Sequence, residues 1–387
     1  MSCARAFAVV ALWSLLLPAC QAAETATPAR TDGDGMSALL ALPPMPMPRA
    51  AHSATRLADG RVLLAGGCHA DGCEEGIAGD ALLFDPASQA FVATGSLVQS
   101  RVGHRAIALA DGSVLLLGGY TQDGPTDLVE RFDPDSGRFT THGRLHEARD
   151  GFSATLLGDG SILVAGGYAR GMRRLASAER YDPATGTSQP VGDMATPRMS
   201  HTATLLDDGR VLVAGGSRSR SEVEASLELF DPRSASFSPA GTLQRARHKH
   251  AAIAIGERVL LLGGAAIPED DGHFRDSEWW SATGVTPGPA LQQGRYKFLD
   301  SLVRLADGSI LVAGGSRHLE LLDAAGEGFS TVDGDIGSAL AFTSATLLAD
   351  GRVLIAGGYD AEIRVSSQAW LFNPPPGAAA PASSFAD

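Results

Sequence analysis

Lysine is almost missing from this chain. Lys249 and Lys297 are the only two among 387 residues, and every other fixed positive side chain is an arginine. A GC-rich coding sequence produces that bias. So does planar, bidentate recognition of anions, which suits arginine better than lysine. A surplus of positive charge is missing as well: the formal net charge is -13, which argues against a general nucleic-acid binder. Aromatic residues make up only 6%, and there are four cysteines. No segment after the N-terminal region approaches 18 apolar residues, so no transmembrane helix is expected in the mature chain. Helical periodicity is absent throughout, which points to an all-β chain. Against these shortages stands one excess. Glycine supplies 46 of the 387 residues, well above the roughly 7% of ordinary globular proteins. The 44% apolar content excludes a disordered chain. The glycines do not recur every third residue, which excludes collagen.

The excess comes from a repeat. Double glycines stand at Gly66-Gly67, Gly118-Gly119, Gly166-Gly167, Gly215-Gly216, Gly263-Gly264, Gly314-Gly315 and Gly357-Gly358. Their mean spacing is about 48 residues, the period of a repeat architecture. Each pair closes two apolar runs around an Asp-Gly, at Asp59, Asp111, Asp159, Asp208, Asp307 and Asp350. The fifth unit has Gly256-Glu257 instead. Asp-Gly between apolar runs predicts a hairpin with a tight primed turn. A second hairpin follows in most units. Its first strand ends in Phe84-Asp85-Pro86, Phe132-Asp133-Pro134, Tyr181-Asp182-Pro183, Phe230-Asp231-Pro232 or Phe372-Asn373-Pro374. Trp280-Ser281-Ala282 and Leu322-Asp323-Ala324 replace that triplet in units five and six.

Each unit is therefore a four-stranded antiparallel meander, and seven of them predict a seven-bladed β-propeller over residues 37–376. The seventh unit has only three strands. Ser37–Leu42 stands one unit too early and is expected to supply the fourth, closing the ring and removing an exposed edge.

Double Gly, aromatic-Asp-Pro and then Gly-x-Leu or Gly-x-Met, as at Gly95-Ser96-Leu97 and Gly192-Asp193-Met194, resembles the kelch-repeat family. The resemblance covers residues 45–375. It also touches the central domain of galactose-oxidase-like copper radical oxidases. In those enzymes the metal site includes a Tyr-His step entering such a hairpin. The corresponding residues here are read as Ala51, Gly103, Gly151, Ser200, Lys249, Leu299 and Phe342, none of them tyrosine. No copper site, metal site, cofactor or catalytic residue is therefore expected.

The N-terminus reads as an export signal. One positive charge precedes the 12-residue apolar run Ala6–Leu17, and small residues follow. Leu17-Pro18-Ala19-Cys20 resembles a bacterial lipobox, which would place a lipid on Cys20. The alternative is cleavage near Ala22 or Ala23. The expected organisation is a signal at 1–22, a flexible tether at 23–36 and a disordered tail at 377–387. The protein is expected to be exported from a bacterial cell, either free in the periplasm or anchored as an outer-membrane lipoprotein. In that setting Cys68 and Cys73 read as a small disulfide.

The meander sorts the loops. The Asp-Gly and Asp-Pro turns share one end of the ring, and the 2–3 and 4–1 loops share the other. The loop end carries a ring of cations ahead of the first strands: Arg49, Arg101, Arg149, Arg198, Arg247 and Lys297, with Leu340 in unit seven. Third strands carry Glu130, Glu179, Glu228, Glu278 and Glu320, with Leu82 and Trp370 in units one and seven. Same-blade pairing predicts structural bridges Arg101–Glu130, Arg149–Glu179, Arg198–Glu228, Arg247–Glu278 and Lys297–Glu320, and leaves Arg49 free. Three residues after the cations stand His52, His104, Phe152, His201, His250, Asp300 and Thr343, which read as packed strand residues. Free Arg49, the loop residues Arg170, Arg173, Arg174, Arg218, Arg220 and Arg317, and Tyr120, Tyr168 and Tyr359 after double glycines are the candidate ligand contacts. Acidic loops hold Glu74, Glu75, Asp123, Asp127, Glu269, Asp270 and Asp271.

The expected function is a non-catalytic scaffold that binds an anionic glycan or protein partner on the loop face. The partner's identity is left open, no nucleic acid is involved, and only a lipid anchor touches membrane. A monomer is expected. The alternative is a periplasmic sugar-modifying enzyme resembling the sialic-acid mutarotases.

Overall fold

The computed structural model describes residues 38–73, 75–267 and 272–375. The export signal, Cys20, the tether, Glu74, Glu269, Asp270, Asp271 and the tail at 377–387 lie outside the described residues.

Seven four-stranded antiparallel sheets follow one another along the chain. Blade one is Ser53–Arg56, Val62–Ala65, Ala81–Asp85 and Ala90–Ala93. Blades two to six repeat this order, beginning at Arg105, Ser153, Thr202, Ala251 and Leu302. Blade seven takes Ser344–Leu347, Val353–Ala356 and Ala369–Phe372, and its outer strand is Leu39–Ala41. Leu39, Leu40 and Ala41 pair with Phe372, Leu371 and Trp370, so the N-terminal strand closes the ring. First strands touch their neighbours all the way round, blade seven against blade one included, and line a central channel.

The core lies between blades. All four residues of Val62–Ala65 are buried, and they divide between two neighbours. Val62 and Leu64 pack with Leu354 and Leu371 of blade seven. Leu63 and Ala65 pack with Val114, Leu116 and Phe132 of blade two. Both faces of each second strand are covered. That is why these strands read as unbroken Val-Leu-Leu runs rather than as alternating ones.

The Asp-Gly hairpins turn differently from the sequence expectation. Leu57 N–H donates to Arg61 O at 2.8 Å, which leaves the three-residue loop Ala58-Asp59-Gly60. Gly60 has φ 89°, whereas Asp59 is not left-handed. A primed turn needs positive φ at its first central residue, and in type I′ at both, whereas here only the glycine supplies it. The loop is the three-residue type with a single left-handed glycine. The Asp59 carboxylate accepts the Arg61 N–H at 2.9 Å.

The double glycines are the joints between blades. A Cβ on Gly66 would stand 2.7 Å from Arg101 O of the next blade. Gly67 N–H donates to that same oxygen at 2.9 Å. Gly167 and Gly216 do the same with Arg198 O and Arg247 O at 2.8 and 2.9 Å. Larger residues would push adjacent blades apart at their closest approach. Residue 38 and residue 375 both lie at the turn end of blade seven, where Asn373 N–H donates to Ala38 O at 2.8 Å.

Candidate functional site

Behind the double glycines lies a ring of buried ion pairs. Arg101–Glu130, Arg149–Glu179 and Arg198–Glu228 meet at 2.6, 2.6 and 2.7 Å, and Arg247–Glu278 at 2.8 Å. Each guanidinium also donates to the carbonyl of its own blade's first glycine, as Arg198 does to Gly215 O at 2.8 Å. Both terminal nitrogens of each fork are engaged inside the blade, which buries these arginines away from a ligand.

Two sequence assignments in this ring are corrected. Lys297 does not pair with Glu320; Arg295 does, at 2.8 Å. The connection from Arg295 to the blade-six strand at Leu302 is longer than in other blades, so counting back from the strand landed on the wrong cation. The residue three on is therefore Phe298 rather than Asp300, and its ring lies against Gly263 as Phe152 lies against Gly118. Arg49 is not free. It is fully buried and paired with Asp80 at 2.8 Å. Asp80 precedes the third-strand position by two residues, as does Asp276, which meets Arg247 at 2.6 Å alongside Glu278. Blade seven replaces the charges with Leu340 and Trp370, which share one apolar cluster.

The histidines form a second structural ring. His52, His104, His201 and His250 bond through Nε2 to Ser344, Ser53, Ser153 and Thr202 of the preceding blade at 2.9–3.0 Å. Their Nδ1 atoms are buried without a partner. Protonation would bury a charge and an unpaired N–H, so burial holds His52 down at about 3 and the other three well below the usual histidine range.

Two residues after each ring position the backbone turns left-handed. Ala51, Ser200, Lys249, Lys297 and Phe342 have φ between 50° and 57°, and Gly103 and Gly151 complete the set. These residues hand a hydrogen bond from blade to blade. Gly103 N–H donates to Ala51 O at 3.1 Å, Ser200 to Gly151 at 2.8 Å, Lys249 to Ser200 at 2.9 Å, Lys297 to Lys249 at 3.0 Å and Phe342 to Lys297 at 2.7 Å. The chain breaks between blades two and three, where Gly151 N–H turns to the Asp150 carboxylate.

This rim encloses a pocket of about 360 Å³ at the loop end of the channel. Tyr120, Tyr168, Tyr359, Phe342, Met172 and Met199 form most of its apolar wall. Lys249 and Lys297 stand on adjacent blades at its edge. Their ammoniums lie 5.2 and 5.1 Å from the Tyr296 ring centre, and Lys297 is also 5.5 Å from that of Tyr359. At the floor, Arg105 of blade two reaches Asp300 before blade six, with Nη1 3.3 Å from both carboxylate oxygens. Below it the channel continues as a cavity of about 250 Å³.

Asp150 lines the same pocket. Tyr168 donates its hydroxyl to the carboxylate. A Cβ on Gly103 would stand 2.6 Å from Asp150 Oδ1, so a larger residue there would push the carboxylate aside. Burial pushes the Asp150 carboxyl up to about 6, against the lowering pull of these hydrogen bonds and of Arg105 and Lys249. Sequence reasoning missed Asp150. Its signal was the one carboxylate at a position that holds Ala50, Val102, Met199, His248, Tyr296 and Ala341 in other units.

The structure places the three predicted tyrosines in the pocket and scatters the predicted arginines. Arg173 pairs with Glu147, Arg218 with Glu222 at 3.1 Å and Arg317 with Asp335 at 2.7 Å. Arg170 is exposed. Arg174 lies 5.7 Å from the Tyr168 ring centre, and the charge of Arg220 acts on it. Cys68 and Cys73 are joined as a disulfide. Cys73 lines the pocket, and Cys68 packs with Ala50 and Tyr359.

The kelch motif, as a family profile, matches residues 152–195. That match covers one blade of the seven-bladed ring. The chain is a kelch-repeat β-propeller. A solved structure described as a novel fungal alcohol oxidase with catalytic diversity among the AA5 family, in complex with copper, is similar to the propeller. The TM-score is 0.68 at 17% identity, over 87% of this chain and 76% of that one. At that identity the likeness establishes the fold alone. No curated protein matches the sequence. The donor set of the pocket does not fit copper. His52 and His104 use Nε2 between blades, and the remaining groups are phenols, two separated carboxylates and ammoniums. Among the described residues no three His, Cys, Asp or Glu side chains are grouped to hold a metal ion.

Proposed function

We propose that the propeller is an exported binding scaffold that takes an anionic glycan, or an acidic protein segment, through its loop face. The ligand's charged group would enter the central pocket. One observation carries this reading: the only two lysines of the chain flank an aromatic-walled pocket on adjacent blades. Tyrosine faces suit the C–H surfaces of a sugar ring, and ammoniums suit a carboxylate or sulfate. The basic loops of blades three and four, at Arg174 and Arg220, would extend the contact outward. In this reading the chain works as a monomer in the periplasm or on a lipid anchor at Cys20.

A glycan array containing acidic and neutral oligosaccharides tests the proposal, followed by calorimetry on Lys297→Gln and Tyr359→Ala. Preferential capture of acidic glycans, lost in both variants, is the expected result. Equal capture of neutral glycans, or full binding by Lys297→Gln, would overturn it. A second reading, a sugar-modifying enzyme, is favoured by Asp150, a pocket carboxyl whose proton affinity burial raises toward neutrality. Turnover of a captured glycan that disappears in Asp150→Asn would support that reading over simple binding.

A further inference from the structure

Asp150 is a carboxylate set in the wall of the pocket. In most blades the residue that follows the ring position pairs through its backbone with the residue after the double glycine, and Asp150 does so with Tyr168. Here the side chain is a carboxylate, and it interrupts the blade-to-blade hydrogen-bond chain by taking the Gly151 N–H. Gly103 makes space for it and Tyr168 orients it. An acid this carefully seated faces a pocket whose far edge holds Lys249 and Lys297. The charged groups that act on it are Arg105 from the first strand of blade two and Lys249 from the loop before blade five. Lys297 and Asp300, before blade six, line the same pocket.

We propose that Asp150 determines which ionic form of ligand the pocket accepts, and that a carboxylate ligand binds with uptake of one proton at Asp150. The inference rests on the binding reading above. A ligand carboxylate brought against an ionised Asp150 is repelled by it, so entry of an anion at that point favours the neutral acid. The neutral acid then offers its O–H to a ligand oxygen, while Tyr168 continues to donate to the other oxygen. The proton comes from solvent, and no bond to carbon forms or breaks. A neutral sugar brings no such conflict and can donate a hydroxyl hydrogen bond to the ionised form.

The sign follows from the raised proton affinity. With the free carboxyl titrating near 6, the competent fraction falls as pH rises. Affinity for an anion should weaken on the order of 20-fold between pH 5.5 and pH 7.5. Calorimetry with glucuronate and with glucose, in buffers of differing ionisation enthalpy at constant ionic strength, reads this directly. Glucuronate should take up close to one proton at pH 7.5, and glucose none. Asp150→Asn should bind glucuronate equally at both pH values. It should keep or raise Tm at pH 7.5, because it removes a buried charge. Glucuronate binding that is strong and independent of pH in the natural protein would overturn the proton linkage and leave the binding reading intact. No glucuronate binding at either pH would overturn both. A carbon-13 titration of the ligand-free carboxyl with its midpoint near 4 would overturn the linkage whatever binds.

Discussion

Two rings of residues lie two positions apart on the chain, and their contents differ sharply. The first is uniform: an arginine in six blades, buried and bonded to its own blade's carboxylate and glycine carbonyl. The second is varied: Ala51, Gly103, Gly151, Ser200, Lys249, Lys297 and Phe342. Both rings share the same backbone geometry in every blade. The first ring holds the fold, so each blade must solve the same problem with the same chemistry. The second ring faces the pocket with its side chains while its backbone does the holding, so side-chain identity is released for recognition. In a repeat protein the ligand is encoded where the repeats disagree.

The largest effect should come from breaking the uniform ring. Arg198→Ala strands Glu228 in a site that is about 5% exposed and should cost about 3–5 kcal/mol, seen as a large fall in Tm. Combining it with Glu228→Leu should recover part of that loss, because blade seven already closes with the apolar pair Leu340 and Trp370. A double variant no better than the single would show that the carbonyl contacts of Arg198, not the ion pair, dominate.

Acid should come next. The four buried histidines bind protons more weakly when folded than when unfolded, and His52 is held down at about 3. Their stabilising contribution is complete above the unfolded value of about 6.5 and is progressively lost as pH falls below it, for His52 down to about 3. Each histidine should contribute up to about 1.4 kcal/mol per pH unit in that window. Calorimetric Tm measured from pH 7.5 to 4 should fall, and His104→Phe, which copies Phe152 and Phe298, should flatten the fall. An unchanged slope in that variant would place the acid sensitivity in the carboxylates instead.

The pocket ring should respond in binding and hardly in stability. Lys297→Gln should weaken an acidic glycan about tenfold, about 1.4 kcal/mol, with Tm changed by little. A comparable loss of Tm would mean that its contacts with Tyr296 and Tyr359 are structural and that the two rings differ less than their contents suggest.

The same contrast explains what could be read from the sequence. The blades, their order and the N-terminal strand in blade seven were legible because each signal recurs or completes a recurrence. Arg101, Arg149, Arg198 and Arg247 could be matched to their glutamates by counting. Counting failed where a blade departs from the period. The long approach to blade six hid Arg295 behind Lys297, and Asp80 neutralises Arg49 from a position two residues early. The Asp-Gly turn was misread because the dipeptide suits two loop lengths, and the flanking pair Leu57 and Arg61 decides between them. Asp150 was invisible to any consensus, since a consensus discards the residue that differs.

The smallest effect separates the pocket from the outer loops. Replacing Arg170, Arg173 and Arg174 together removes three positive charges from the blade-three loop. Glu147 already holds Arg173, and exposed charges are screened within about 10 Å at ordinary salt. The triple variant should therefore lose about threefold in affinity for an acidic glycan, chiefly through Arg174 beside Tyr168, and most of that loss should vanish in high salt. Lys297→Gln should keep its deficit under the same salt, because the aromatic wall excludes solvent around it. If the triple variant instead loses more than Lys297→Gln, recognition lies on the outer loops, and the variable inner ring is a passage rather than a site.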